Sequence, residues 1–180
     1  MIGGWRGRTA GLAIIPLIVT GVIVAAGGPP ATRSGLPGPD PPPAWRLVVR
    51  GATDEVILRV PLPDGRFALR YRNSVYGSLA EERFVVTADG RMSLVALAAD
   101  EAAVLEEYYS ATDRPRPAAA GDPLRWRARP ATALVLQELP LAATRHGQRT
   151  LIVDGRGPVP LWQIAGDGGP TLVLEVEAAG

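Results

Sequence analysis

Two patterns of hydrophobic and polar positions divide this chain. Between Arg8 and Arg33 there is no charged residue, and Leu12–Ala26 (LAIIPLIVTGVIVAA) is almost wholly apolar, with no polar face. From Ala44 onward the apolar runs become short, β-branched and alternating, and Gly, Pro and Asp punctuate them. That second pattern predicts strands joined by turns. Ala44–Arg50 and Glu55–Val60 form a first hairpin, followed by a turn at Pro61-Leu62-Pro63-Asp64-Gly65. Arg66–Arg72 alternates, with Phe67, Leu69 and Tyr71 on one face and Arg66, Ala68, Arg70 and Arg72 on the other. Glu82–Val86 and Met92–Ala99 flank an Ala88-Asp89-Gly90-Arg91 turn, the strongest short-range hairpin signal in the chain.

The second half continues in the same manner. Asp100–Tyr109 fits a strand edge or a short helix, and its Ala/Glu content, with Asp100 as a cap, favours the helix. Thr112–Pro123 is loop. Leu124–Arg129 alternates with its arginines outward. Thr132–Leu139, Thr150–Val153, Val159–Ile164 and Thr171–Val176 read as strands, with turns at Asp154-Gly155 and Gly166–Gly169. The fold class is all-β, an antiparallel sandwich or barrel of roughly eight to ten short strands.

The uncharged N-terminal stretch would span about 36 Å as a helix at ~1.5 Å per residue, enough for a hydrocarbon core of about 30 Å. Arg6 and Arg8 precede it and favour a cytoplasmic N-terminus. Residues 1–28 are therefore a signal peptide or a membrane anchor. Small residues at Val24-Ala25-Ala26 or Ala25-Ala26-Gly27 suit cleavage. Residues 29–43, rich in Pro and Gly, form a linker with too little apolar surface to fold. Residues 44–180 are the exported β-domain. The expected location is the cell membrane, single-pass with the C-terminal domain outside the cytoplasm, or secretion after cleavage.

Composition narrows the chemistry. There is no Cys, which removes disulfides, thiolate metal sites and cysteine nucleophiles. The basic residues are all Arg and the net charge is +1, so no basic footprint points to nucleic acid. His146 is the only His and sits in a polar, turn-like stretch; neither Ser74 nor Ser78 lies in a nucleophile-elbow motif. Phosphate loops and calcium loops lack their required spacing. No catalytic residue, metal or cofactor is expected. Trp45, Trp126 and Trp162 are expected in strands as core or interface anchors.

The densest mixture of aromatic, charged and turn-forming residues is Arg66–Phe84. Asn73 and Ser74 can bond nearby backbone N–H groups and stabilise an irregular connection. Glu81 or Glu82 can accept bonds from that connection, or pair with Arg72 or Arg83 across the hairpin. The functional alternative makes Tyr71, Arg72, Asn73, Ser74, Tyr76, Glu81 and Glu82 the polar corner of a binding site, with the tyrosines as walls.

Phe67, the RYRNSVYGS run, Glu81-Glu82, the Asp89-Gly90 hairpin and the closing RTLIVDGRGPVPLWQIAGDGG segment resemble the bacterial family called domain of unknown function 1850. The resemblance covers about two-thirds of the chain. It implies a small, exported β-rich domain encoded beside components of TRAP-type transporters, with a permease or solute-binding protein as partner and no established activity. Asn73 stands where the family usually has His, so a role that depends on an imidazole there, such as proton transfer or metal ligation, does not carry over from the resemblance. Glu106-Glu107-Tyr108-Tyr109 occupies the place of the family's Gly-Ala-Gly run. The function expected is that of a non-catalytic accessory to solute uptake. The alternatives are a free-standing small-ligand binding module and, third, an exported hydrolase.

Overall fold

The computed structural model of the chain describes residues 44–108, 113–165 and 170–179. The N-terminal apolar stretch, the linker and the Gly166–Gly169 turn lie outside the described residues. Among the described residues no helix is long and apolar enough to cross a membrane. The domain is built almost wholly from antiparallel strands, as the alternating runs predict.

The first two strands, β1 (Trp45–Arg50) and β2 (Val56–Leu62), form the expected hairpin. Then follow β3 (Arg66–Arg72), β4 (Leu79–Val86) and β5 (Met92–Ala99), and after them the short β6 (Arg116–Pro117), β7 (Trp126–Ala128) and β8 (Leu134–Leu136). The last four are β9 (Glu138–Ala142), β10 (Thr150–Ile152), β11 (Val159–Pro160) and β12 (Thr171–Ala178). The smaller sheet has the order β2-β1-β12-β9, and the larger β11-β10-β3-β4-β5-β7-β6, with β8 beside the opposite end of β5 from β7. The Asp64-Gly65 turn, with Gly65 at φ 60°, carries the chain from one sheet to the other.

One apolar core serves both sheets. Leu47, Val49, Leu172 and Leu174 of the smaller sheet belong to the same buried cluster as Leu69, Leu97 and Leu151 of the larger. Burial of each such side chain contributes about 1.5–3 kcal/mol. Phe67 and Phe84 face each other across the β3–β4 pair and stack with centroids 5.0 Å apart. A bulge lets β5 serve this core along its length. Leu94 pairs with Phe84 and Ala96 with Arg83, so Val95 is the extra residue and points to solvent while Leu94 and Leu97 both turn inward.

Two expectations change and one open reading is settled. The Thr132–Leu139 run is two strands: β8 belongs to the larger sheet and β9 to the smaller, with the chain crossing at Gln137. The polar pair Gln137-Glu138 interrupts the apolar run at that point without specifying a change of sheet, and Leu134 and Val135 remain exposed because β8 is an edge with a single neighbour. Val159–Ile164 is a strand only as far as Pro160; α1 (Leu161–Ile164) then places Trp162 on a helical turn instead of a strand. Leu161 there fills the core, and one helical turn buries it as well as a strand would. Asp100–Tyr109 resolves toward helix as a π-helical turn, Val104–Tyr108, with Val104 and Leu105 buried.

The four strands that end the two main strand orders each contain a proline, Pro61 in β2, Pro140 in β9, Pro160 in β11 and Pro117 in β6, while the short edge β8 has none. Proline removes a ladder donor, so it is tolerated at edges and discourages a further strand from adding there.

Candidate functional site

The β3–β4 hairpin positions every residue that the sequence singles out. Its register pairs Arg70 with Glu81, Tyr71 with Ala80 and Arg72 with Leu79, leaving Asn73–Ser78 as the connection. The Asn73 N–H donates to the Ser78 carbonyl at 2.8 Å, and the Gly77 N–H to the Asn73 carbonyl at 2.8 Å. Inside that loop the Asn73 Oδ1 accepts from the Val75 N–H at 3.0 Å and the Tyr76 N–H at 3.1 Å. The Asn73 side chain, 1% exposed, thus supplies the acceptor that two successive turn amides require. Its Nδ2 and the Ser78 Oγ are buried with no hydrogen-bond partner among the described residues. Gly77, at φ 63°, completes the tight return.

Further bonds fix the hairpin to its surroundings. The Arg72 N–H donates to the Gly147 carbonyl at 2.7 Å, and the Arg72 guanidinium donates to the Gly77 carbonyl. The Tyr76 hydroxyl donates to the Glu107 carboxylate, tying the tip to the π-helical turn. That bond, with lesser contributions from burial and the Glu107 charge, raises the Tyr76 phenol above its ordinary value. Ser74 and Val75 are exposed at the tip, and Val75 keeps 75% of its surface in solvent.

Glu81 and Glu82 occupy opposite faces. Glu82 pairs with Leu69 in register and so lies on the core side with Tyr71. There Arg149 approaches it at 3.6 Å, and the Arg149 guanidinium sits 4.6 Å from the centre of the Tyr71 ring, a cation–π contact. Glu81 faces away from the core and is nonetheless only 4% exposed. Its Oε2 accepts from Arg70 Nε at 2.9 Å and Nη2 at 2.7 Å, and its Oε1 accepts from Arg83 Nε at 2.6 Å. Arg83 reaches on to Asp122 at 3.2 Å, and Asp122 also receives Arg127. The result is an alternating chain, Arg70–Glu81–Arg83–Asp122–Arg127. The Asp122 side chain, 1% exposed, also accepts from the Leu124 N–H at 3.0 Å.

The candidate residues therefore form four groups. Asn73 and Arg72 hold the connection; Tyr71 and Glu82 meet Arg149 on the inner side; Glu81 anchors arginines on the outer side. Ser74 and Tyr76 sit at the exposed tip. Asp122, Arg127 and Arg149 escaped the sequence reading. Asp122 lies 39 residues beyond Arg83 in a stretch read as loop, and nothing local marks it as buried. Of the pairings expected for Glu81 or Glu82, the one with Arg83 is present, made by Glu81 from the same strand; Arg72 turns to the Gly77 carbonyl instead, and the cross-strand partner of Glu81 is Arg70, one pair further from the connection. His146 is exposed in a turn, consistent with its polar surroundings in the sequence. Among the described residues no three His, Cys, Asp or Glu side chains are placed to hold a metal ion.

Comparison of the chain with family models, with curated proteins and with solved structures gives no match.

Proposed function

We propose that this is a non-catalytic extracytoplasmic domain, a two-sheet sandwich held at the membrane by its N-terminal segment, that serves as an accessory to a TRAP-type solute transporter. Its partner is a permease or a solute-binding protein, met through the tip of the β3–β4 hairpin. The observation that carries the reading is Val75, an apolar side chain held in solvent on a connection fixed by Asn73, by Arg72 and by the Tyr76–Glu107 bond. A rigid loop presenting exposed apolar surface loses little conformational entropy when it docks. The motif acceptors support the same reading, since the Asn73 Oδ1 and the Glu81 and Glu82 carboxylates are all engaged within the domain.

The test is affinity capture of the intact protein from its native membrane in mild detergent, beside a Val75→Asp variant. Transporter subunits should accompany the wild type and be lost from the variant, whose melting temperature should be unchanged. Recovery of the wild-type protein alone, or equal recovery of subunits with both, overturns the reading.

A further inference from the structure

The face of the larger sheet that turns away from the core carries a feature outside the hairpin tip. Alternation on β3 and β4 brings Arg66, Arg70, Glu81 and Arg83 to this face, and Arg127 joins them from β7. Together they line a cleft of about 460 Å³ with the small side chains of Ala68 and Ala96. A second cleft of about 540 Å³ adjoins it, sharing Val95, Ala96 and Arg127 and adding Arg114, Arg116 and Arg129. Seven arginines thus border the pair of clefts. The acidic groups there are Glu81, Asp113 and Asp154, with Asp122 bonded to Arg83 and Arg127. Seven positive charges against four negative leave an excess of three on one face of a chain whose net charge is +1. The near-neutral composition conceals this segregation.

The first cleft is built, not merely basic. Glu81 and Asp122 are the buried carboxylates, and they fix the planes of Arg70, Arg83 and Arg127 by charged hydrogen bonds. In that chain three guanidiniums share two carboxylates, so one positive charge is left over. Burial, and then the neighbouring Arg83, lower the Arg127 guanidinium from its ordinary value, against the opposing effect of Glu81. A bound anion would relieve both. Donors also remain: Arg70 Nη1, Arg127 Nε and Nη1, and the whole Arg66 guanidinium donate to no protein acceptor among the described residues.

We propose that this cleft binds a small oxyanion-bearing ligand, a carboxylate or a phosphate, through Arg66, Arg70 and Arg127, with Glu81 and Asp122 as positioning residues. Planar guanidinium forks held at fixed angles match both kinds of oxyanion, and the adjoining arginines favour a ligand with more than one negative group. This inference is independent of the accessory role and of where the protein resides.

The experiment is calorimetric titration of the full chain in mild detergent at low salt with succinate, inorganic phosphate and pyrophosphate. Saturable one-to-one binding of at least one is expected, with affinity falling as salt is added. Which probe binds tightest separates carboxylate from phosphate chemistry. Arg127→Gln and Arg66→Gln should each weaken that binding about tenfold, whereas Arg125→Gln, which removes the exposed Arg125–Glu101 pair, should not. Arg66 forms no ion pair among the described residues, so Arg66→Gln remains informative even if loss of Arg127 disturbs folding. Absence of saturable binding up to about 10 mM of all three probes, or binding indifferent to both substitutions, overturns the proposal.

Discussion

Replacing Glu81 by Gln preserves the shape of the side chain and removes its charge. In the native domain this carboxylate is 4% exposed and accepts three hydrogen bonds from two guanidiniums. Breaking one partner of a fully buried pair costs about 3–5 kcal/mol, because the other charge is left uncompensated. Here the loss is smaller. The Arg70 and Arg83 side chains keep 29% and 21% of their surface in solvent, and Arg83 retains Asp122. Water can therefore rehydrate part of the freed charge, and about 2–3 kcal/mol is expected. For a domain of this size that lowers the melting temperature by about 8–12 °C. Urea unfolding followed by Trp fluorescence should show the midpoint reduced with the slope unchanged. Salt at about 1 M should not reproduce the loss in the wild type, since the pair is shielded from mobile ions. A loss below about 0.5 kcal/mol would place Glu81 among ordinary surface ion pairs and refute the argument from burial.

Three further outcomes follow from the same geometry. Asn73→Ala removes the acceptor of two backbone amides and should cost about 1–3 kcal/mol in urea unfolding, while Ser74→Ala at the exposed tip should change stability by under about 0.5 kcal/mol. If Asn73→Ala instead leaves stability intact and abolishes partner capture, Asn73 is a binding residue and not a structural one. The Tyr76 phenol is raised by its bond to Glu107, so the tether contributes fully below the ordinary tyrosine value of about 10 and is lost as pH rises through the higher folded value. Ultraviolet titration with Tyr76→Phe as the blank should show the Tyr76 midpoint fall in Glu107→Gln, and an unmoved midpoint would remove Glu107 as the cause. Gly90 sits at φ 80°, and an added Cβ would lie 3.2 Å from the Trp45 ring. Gly90→Ala should therefore cost about 1–3 kcal/mol and alter Trp45 emission, two effects that a relaxed turn would not show.

Much of the architecture was legible because it depends on period and turn chemistry. Phe67, Leu69 and Tyr71 alternate with arginines, and the strand they predict has those faces. Asp89-Gly90 gave the β4–β5 hairpin because glycine is the residue that adopts its left-handed backbone. The prolines carried more than was taken from them. Pro61, Pro117, Pro140 and Pro160 each lie in a strand that ends a sheet, and a missing ladder donor is a local property that a sequence displays openly. Where the sequence was silent, the determinant was distant. The crossing at Gln137 follows from which sheet each half of the run can join, and no residue in Thr132–Leu139 encodes that choice alone.

The same distinction separates the two halves of the site. Asn73 acts within three residues of itself, so its side-chain chemistry was enough to foresee the turn. For Glu81 and Glu82, a one-residue difference sets the face, and β-sheet periodicity makes that difference absolute. The hairpin register assigns Glu82 to Arg149 and Glu81 to Arg70 and Arg83. Arginines that looked like a solvated face are instead drawn together by Glu81 from the hairpin and Asp122 from a distant loop. Neither carboxylate alone would bring Arg70 and Arg127 into one cleft; Arg83, bonded to both, joins them. The charge pattern of this face is therefore a property of the folded register, and a neutral sum along the chain is compatible with a strongly polarised surface.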